Sequence, residues 1–154
     1  MRERRNYSLG SRQKGKVAEL HVISKLVASR LDVYTPILDI GVDCVIRVQK
    51  PCKPIEYYEL QIKGARYKNV SIRGARKIIE YVEKEKPINY YLVVPLRKNE
   101  EYKEIIYLDK KDIMNNKGPI LKNGEQDINI SAQKRDELME KQSLDELLKV
   151  INHE

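Results

Sequence analysis

The chain has 154 residues, 41% of them hydrophobic, and a net charge of +7 from 30 Lys/Arg and 23 Asp/Glu. That length fits one domain with a real core, the hydrophobic content argues against wholesale disorder, and no apolar run is long enough to span a membrane. The charge is uneven: residues 1–16 carry +5, residues 17–124 carry +6, and residues 125–154 carry −4. A basic arm and body point to a polyanionic partner, nucleic acid before others; a solvated Lys/Glu-rich surface is the plain alternative.

No repeat, low-complexity tract or linker divides the chain. Residues 1–10 are expected to be a basic N-terminal arm. Residues 11–154 are expected to be a single domain, with its core over about 11–110 and C-terminal helical elements over 131–154. "MRERRNYSLGSRQKGK" has no apolar segment of the signal-peptide kind, so a cytoplasmic location is expected. From Ser11 to Arg30, Val22, Ile23, Leu26 and Val27 recur at helical spacing. "LDVYTP" is predicted to be a short strand stopped by Pro36.

"DCVIRVQ" and "YYELQIKG" alternate as two further strands, and the prolines of "KPCKPIE" make the segment between them a hairpin loop. "SIRGARKIIEYVEKEK" is predicted to be an amphipathic helix with Ala75, Ile78, Ile79 and Val82 on one side and Pro87 ending it. "NYYLVVPL" has the continuous apolar character of a central strand, and "EIIYLD" follows it as another. "DINIS" is a last strand, and "SLDELLKVINHE" a terminal helix whose Ser143 and Glu146 have capping-box spacing. The order predicts an α/β fold, a mixed sheet with helices packed on it. Cys44 falls in a strand and Cys52 between prolines, without a second Cys or a His at metal-ligand spacing, so both are expected to be reduced thiols.

The strand "YYELQIKGAR" carries Glu59, Gln61 and Lys63 on one face, and the strand before it carries Asp43, Val45 and Arg47 on one face. A hairpin symmetric about Lys53 would pair Asp43 with Lys63, Val45 with Gln61, and Arg47 with Glu59. Glu19 precedes Val22, Ile23 and Leu26 by three, four and seven residues, which places a carboxylate along the apolar side of the first helix. A carboxylate there needs a cation, a hydrogen-bonding network or an open cleft. If that helix crosses the hairpin, Glu19, Asp43, Gln61 and Lys63 meet. They would form an oxygen-ligand set suited to Mg²⁺ with an ammonium beside it.

"GKVAEL" on a helix, "DIGVD" entering a strand and "ELQIKGA" on the next resemble the PD-(D/E)XK nuclease superfamily. Its signature is a helical Glu, an Asp opening one hairpin strand and (D/E/Q)-x-K on the other. Gln61 in place of an acid resembles a branch of intron-encoded homing endonucleases. Archaeal Holliday-junction resolvases are similar in layout but keep Glu there. The resemblance implies a restriction-endonuclease-like mixed sheet flanked by helices. It also implies Mg²⁺-dependent endonuclease activity on DNA phosphodiester bonds, with Mn²⁺ able to substitute. DNA is then the partner, with no membrane and no small-molecule substrate.

In that pattern Asp43 is the main metal ligand, Gln61 offers its side-chain carbonyl, and the Ile62 peptide carbonyl completes the shell. Glu19 binds a second metal or a metal-bound water, and Lys63 sits by the attacking water and the scissile phosphate. Because one such site cuts one strand, a homodimer or higher oligomer is implied for a double-strand break, with the acidic C-terminal helices as a candidate interface. An inactive nucleic-acid-binding protein of the same fold, or an accessory subunit, are the alternatives.

Glu59 is expected to pair with Arg47 across the hairpin, and Asp39 to serve a turn rather than a metal. Arg12, Lys14 and Lys16 on the first helix, and Arg66, Lys68, Arg73, Arg76 and Lys77 after the motif, are candidate phosphate contacts, with a solvated face as the alternative for any one of them. Tyr67 is a candidate for stacking on a base. His21 and His153 are given no catalytic role.

Overall fold

In the computed structural model, which describes residues 10–37 and 41–153, the apolar residues sort onto the two faces of one sheet. The first element is the predicted helix, α1 (Ser11–Ala28), followed by β1 (Asp32–Tyr34), β2 (Cys44–Val48) and β3 (Glu56–Ile62). Two short strands, β4 (Ala65–Arg66) and β5 (Val70–Ile72), precede α2 (Arg76–Lys84). Then come β6 (Tyr90–Lys98), β7 (Glu101–Leu108) and α3 (Lys110–Asn115). β8 (Ile128–Ile130), α4 (Ala132–Lys141) and α5 (Leu144–Asn152) close the chain. The main sheet runs β1-β2-β3-β6-β4, with β7 also on β6, and β5 and β8 form a separate pair. β6 runs parallel to β3 and β4, and the other pairings are antiparallel.

Strand alternation builds both cores. Cys44 and Ile46 of β2, Tyr58, Leu60 and Ile62 of β3, and Val93 of β6 turn to one face, under Val22 and Leu26 of α1 and Leu147 and Ile151 of α5. Leu92, Val94 and Leu96 turn to the other, against Ile78, Ile79 and Val82 of α2 and Ile113 of α3. β6 is the buried central strand that its composition predicts, but it continues past Pro95 to Lys98. Proline is tolerated there because β3 has ended at the Ile62–Val93 pair and β4 begins only at the Ala65–Leu96 pair.

The structure departs from the sequence reading at several places. Of the predicted helix over "SIRG", Ser71 and Ile72 are strand and Arg73 and Gly74 a turn: Val70 and Ile72, both β-branched, pair with Ile130 and Ile128, and the helix starts only at Arg76. Gly74 makes the break, with φ +62° and its N–H donated to Asp127 at 3.0 Å. On α1 the buried stripe is Ala18, Val22 and Leu26; Val27 is exposed, and Glu19 lies on the stripe's flank with its side chain 21% exposed.

The hairpin register is two residues from the predicted one: Cys44 faces Leu60, Val45 faces Glu59 and Arg47 faces Tyr57. The symmetry point is Cys52, which takes φ 60° at the loop tip, rather than Lys53. A two-residue slip keeps every side chain on its predicted face and changes only its partner. The expected Arg47–Glu59 ion pair is therefore absent. Arg47 lies 3.6 Å from Asp32, and Glu59 accepts from the Tyr81 hydroxyl at 3.0 Å.

Cys44 is buried and Cys52 exposed, both as free thiols. No helix among the described residues is long and apolar enough to cross a membrane. α5, capped by Ser143, turns Leu147 and Ile151 onto the chain's own sheet. The Asn152 carbonyl is held by the Lys50 ammonium. The arm over residues 1–9 and Asp39 lie outside the described residues.

Candidate active site

The site begins where β2 opens away from β3. The Asp43 N–H donates to the Leu60 carbonyl at 2.9 Å, which carries the ladder one residue beyond β2. The corrected register sets the Asp43 carboxylate opposite Gln61 rather than Lys63. Its Oδ2 accepts from Gln61 Nε2 at 2.8 Å and from the Ile62 N–H at 2.6 Å. The Lys63 N–H is bonded to Val93 on the β6 side at 3.0 Å. Groups alternate along a strand, so the N–H and carbonyl of Ile62 both face the β2 side, where Asp43 stands.

Gln61 is 6% exposed, and its Oε1 is buried with no hydrogen-bond partner among the described residues. A buried amide oxygen without a donor is costly, by about 1–3 kcal/mol. Turning the amide over would aim that oxygen at the Asp43 carboxylate, an arrangement that needs a cation between the two oxygens.

Glu19 reaches the same place from α1. It accepts from the Lys16 ammonium at 2.8 Å, and that bond raises the Lys16 pKa. Behind the site the Cys44 thiol is pushed up to about 12, first by burial and then by the negative charges of Asp43 and Glu19, so both carboxylates are felt at one point of β2. α1 can come this close because of Gly64. A Cβ there would lie 3.1 Å from the Ala18 Cβ and 3.1 Å from the Tyr102 hydroxyl.

An open pocket of about 790 Å³ spreads over these groups and includes Glu19, Asp43, Ile62 and Lys63 in its lining. Gln61 lies beneath it rather than on its wall. Of the predicted phosphate contacts, Arg12, Lys14, Lys16, Arg66 and Arg73 line it. Lys68, Arg76 and Lys77 do not. Arg76 is engaged by Glu80 at 3.0 Å and by the Gly124 carbonyl at 2.6 Å, which makes it a brace between α2 and the 117–127 loop. Tyr67 meets the Arg135 guanidinium at 4.2 Å and the Lys98 ammonium at 5.0 Å from its ring centre, so cations occupy the ring that was a candidate for base stacking. Two lining residues, Arg97 and Tyr102, carried no motif in the sequence. "LRKNEEYKE" has the composition of any polar hairpin turn.

The oxygens gathered here are hard donors: two carboxylates, one amide and one peptide carbonyl. That set suits Mg²⁺, with the Gln61 amide turned over so that its unpartnered Oε1 comes to the Asp43 side. Among the described residues no three His, Cys, Asp or Glu side chains come together at metal-binding range, so a cation held here would need the neutral oxygens of Gln61 and Ile62 as well.

No protein-family model matches the chain, and no curated protein does. Among solved structures it is similar to a bacterial homing endonuclease, I-Ssp6803I, with a TM-score of 0.59 at 10% sequence identity. Its mixed α/β fold is similar to that of this enzyme. The likeness covers 94% of this chain and 95% of the other, so it extends over nearly the whole of both.

Proposed function

We propose that the chain is a metal-dependent DNA endonuclease of the PD-(D/E)XK kind in its Q-x-K form. The observation that carries this reading is the Asp43 carboxylate. It is held by Gln61 and Ile62 at the mouth of a basic pocket that also contains Glu19 and Lys63, on a fold similar to that of a homing endonuclease. Asp43, Gln61, Glu19 and the Ile62 carbonyl would hold Mg²⁺, or Mn²⁺ in its place. When bound, the ion supplies positive charge at the phosphate and a more acidic water.

The remaining work belongs to the chain. Lys63, exposed on the pocket wall, places an ammonium where a phosphate would lie, orients the attacking water and offsets the charge that develops on the phosphoryl oxygens. Arg12, Lys14, Lys16, Arg66 and Arg73 hold the DNA backbone over the site. Glu19, tied to Lys16, keeps that ammonium against α1 and a carboxylate in the pocket. A homodimer would bring two such sites to the two strands of a duplex, and a cytoplasmic location fits a DNA substrate.

One observation favours a second reading, a nucleic-acid-binding protein that does not cut. The Gln61 amide supplies no charge to a metal and is already bonded to Asp43. Incubation of supercoiled and branched DNA with Mg²⁺ or Mn²⁺ decides between the two. Nicking that is lost in Asp43→Ala and in Lys63→Ala supports the nuclease. Salt-sensitive binding without cleavage of any substrate supports the second reading. A gel panel of duplex, junction and damaged DNA then defines the target.

A further inference from the structure

We infer that Arg97 and Tyr102 form a clamp for a backbone phosphate that flanks the scissile one. Arg97 belongs to β6, and its neighbour Leu96 points into the core under α2, so Arg97 turns to the α1 face, where the pocket lies. Its partner on β7 is set by an irregularity. Leu96 pairs with Glu104 and Arg97 with Tyr102, which leaves Lys103 unmatched. In an unbroken register Arg97 would face Lys103 and Tyr102 would point to the other side of the sheet. The bulge therefore brings the phenol beside the guanidinium on the pocket wall, as bulges next to functional sites commonly re-aim a side chain.

Among the described residues neither group is fully satisfied. The Arg97 side chain is 17% exposed, and its Nη1 is buried with no hydrogen-bond partner. Its acid is Glu100, 3.8 Å away and 82% exposed, too far and too wet to compensate a desolvated charge. The Tyr102 hydroxyl donates only weakly, to the Lys14 carbonyl at 3.5 Å. The ligand must be an anion. Among the described residues the pocket wall holds seven Lys/Arg and only Glu19 and Asp43 as acids. A guanidinium fork with an adjacent phenol donor matches a phosphodiester.

Position along the strand identifies which phosphate. Val93 accepts from the Lys63 N–H, and Arg97 lies four residues further, about 13 Å along β6. Arg97 thus lies beyond Lys63 along the sheet, while its partner Tyr102 reaches back to Gly64, so the clamp holds the backbone beside the reacting phosphate.

The clamp rests on nucleic acid being the ligand, and its test is binding without cleavage. A short labelled duplex is titrated in EDTA over a salt series, with wild type, Arg97→Met, Arg97→Lys and Tyr102→Phe. Arg97→Met should bind about tenfold more weakly at low salt. Its slope of log affinity against log salt should be shallower by about 0.9, the loss of one phosphate contact. Arg97→Lys should recover the slope but only part of the affinity, because charge returns without the fork. Tyr102→Phe should weaken binding about threefold at an unchanged slope.

A wild-type slope in Arg97→Met, whatever its melting temperature, would overturn the clamp and leave Arg97 a structural residue. Should Arg97→Met not fold, wild-type affinity in both Arg97→Lys and Tyr102→Phe would overturn it equally. Wild type that binds with a normal salt slope but cuts nothing removes the hydrolytic reading and leaves the clamp. Wild type with no salt-dependent binding removes both.

Discussion

Gln61 donates its amide N–H to Asp43 across the mouth of the β2–β3 hairpin at 2.8 Å, and the opposite atom of the same amide is buried without a partner among the described residues. The pair is therefore balanced as donor and carboxylate, and a second carboxylate in place of the amide would upset it. Gln61→Glu should destabilise the chain at pH 7 in EDTA by about 1–3 kcal/mol, because a hydrogen bond is replaced by like-charge repulsion.

The sign with pH follows from linkage. One carboxyl of the new pair has its folded-state pKa raised above its unfolded value. The stability it contributes when protonated is present at low pH and lost as the pH rises through the raised pKa. Gln61→Glu should therefore lie nearer to wild type at pH 4 than at pH 7, and Mg²⁺ should raise its melting temperature more than that of wild type. Identical melting shifts with Mg²⁺ in the two proteins would remove Gln61 from the metal site.

Glu59, two residues earlier on the same face, serves a different purpose. It accepts from the Tyr81 hydroxyl, whose pKa is pushed up to about 12 by burial and then by that bond, while Arg47 faces an exposed Asp32. Tyr81→Phe should cost about 1–2 kcal/mol, since it leaves a half-buried carboxylate short of a donor. Arg47→Gln should cost under about 0.5 kcal/mol, as exposed ion pairs usually do. Urea melts of the two variants check this, and the reverse order would restore the cross-strand ion pair expected from the sequence.

These residues show why the sequence was legible to one depth and not beyond it. Alternation placed Asp43, Glu59, Gln61 and Lys63 on their correct faces, because a strand has only two. Their partners depended on the hairpin tip, where the positive φ of Cys52 moved the symmetry point, and no periodicity encodes that. Glu19 was legible as a carboxylate out of place in an apolar pattern. Arg97 and Tyr102 were not, because their meeting depends on an unmatched Lys103. Likewise Arg76 has the composition of a DNA contact, and only the Gly124 carbonyl, 48 residues away, shows it to be a brace.

The thiols give a direct check of the core. Cys52 is exposed at the hairpin tip, whereas Cys44 is buried with its pKa pushed up to about 12, beneath Asp43 and Glu19. The reactive species is the thiolate. One thiol should therefore react with a maleimide in the native protein at pH 8, and both in denaturant. Cys52→Ser should abolish the native reaction. Two rapidly reacting native thiols would mean that α1 does not cover β2.

Gly64 links packing to the proposed chemistry. It follows Lys63 directly, and the space its side chain would need is taken by Ala18 and Tyr102, each 3.1 Å from where a Cβ would lie. Contacts that short require a neighbour to move by a few tenths of an ångström. Gly64→Ala should cost about 1–3 kcal/mol, in the range of overpacked cores. The strain falls on α1, one residue before Glu19, so cleavage should drop further than the melting temperature alone explains.

Ala18→Gly removes one of the two obstructing atoms but costs about 1 kcal/mol of helix propensity on its own. If the contact is the cause, Ala18→Gly in the Gly64→Ala background should cost less than in wild type. A double-mutant cycle on stability and on cleavage rate measures that coupling. Strict additivity in both readouts would show that α1 is not held against Gly64 and that Glu19 reaches the pocket by some other constraint.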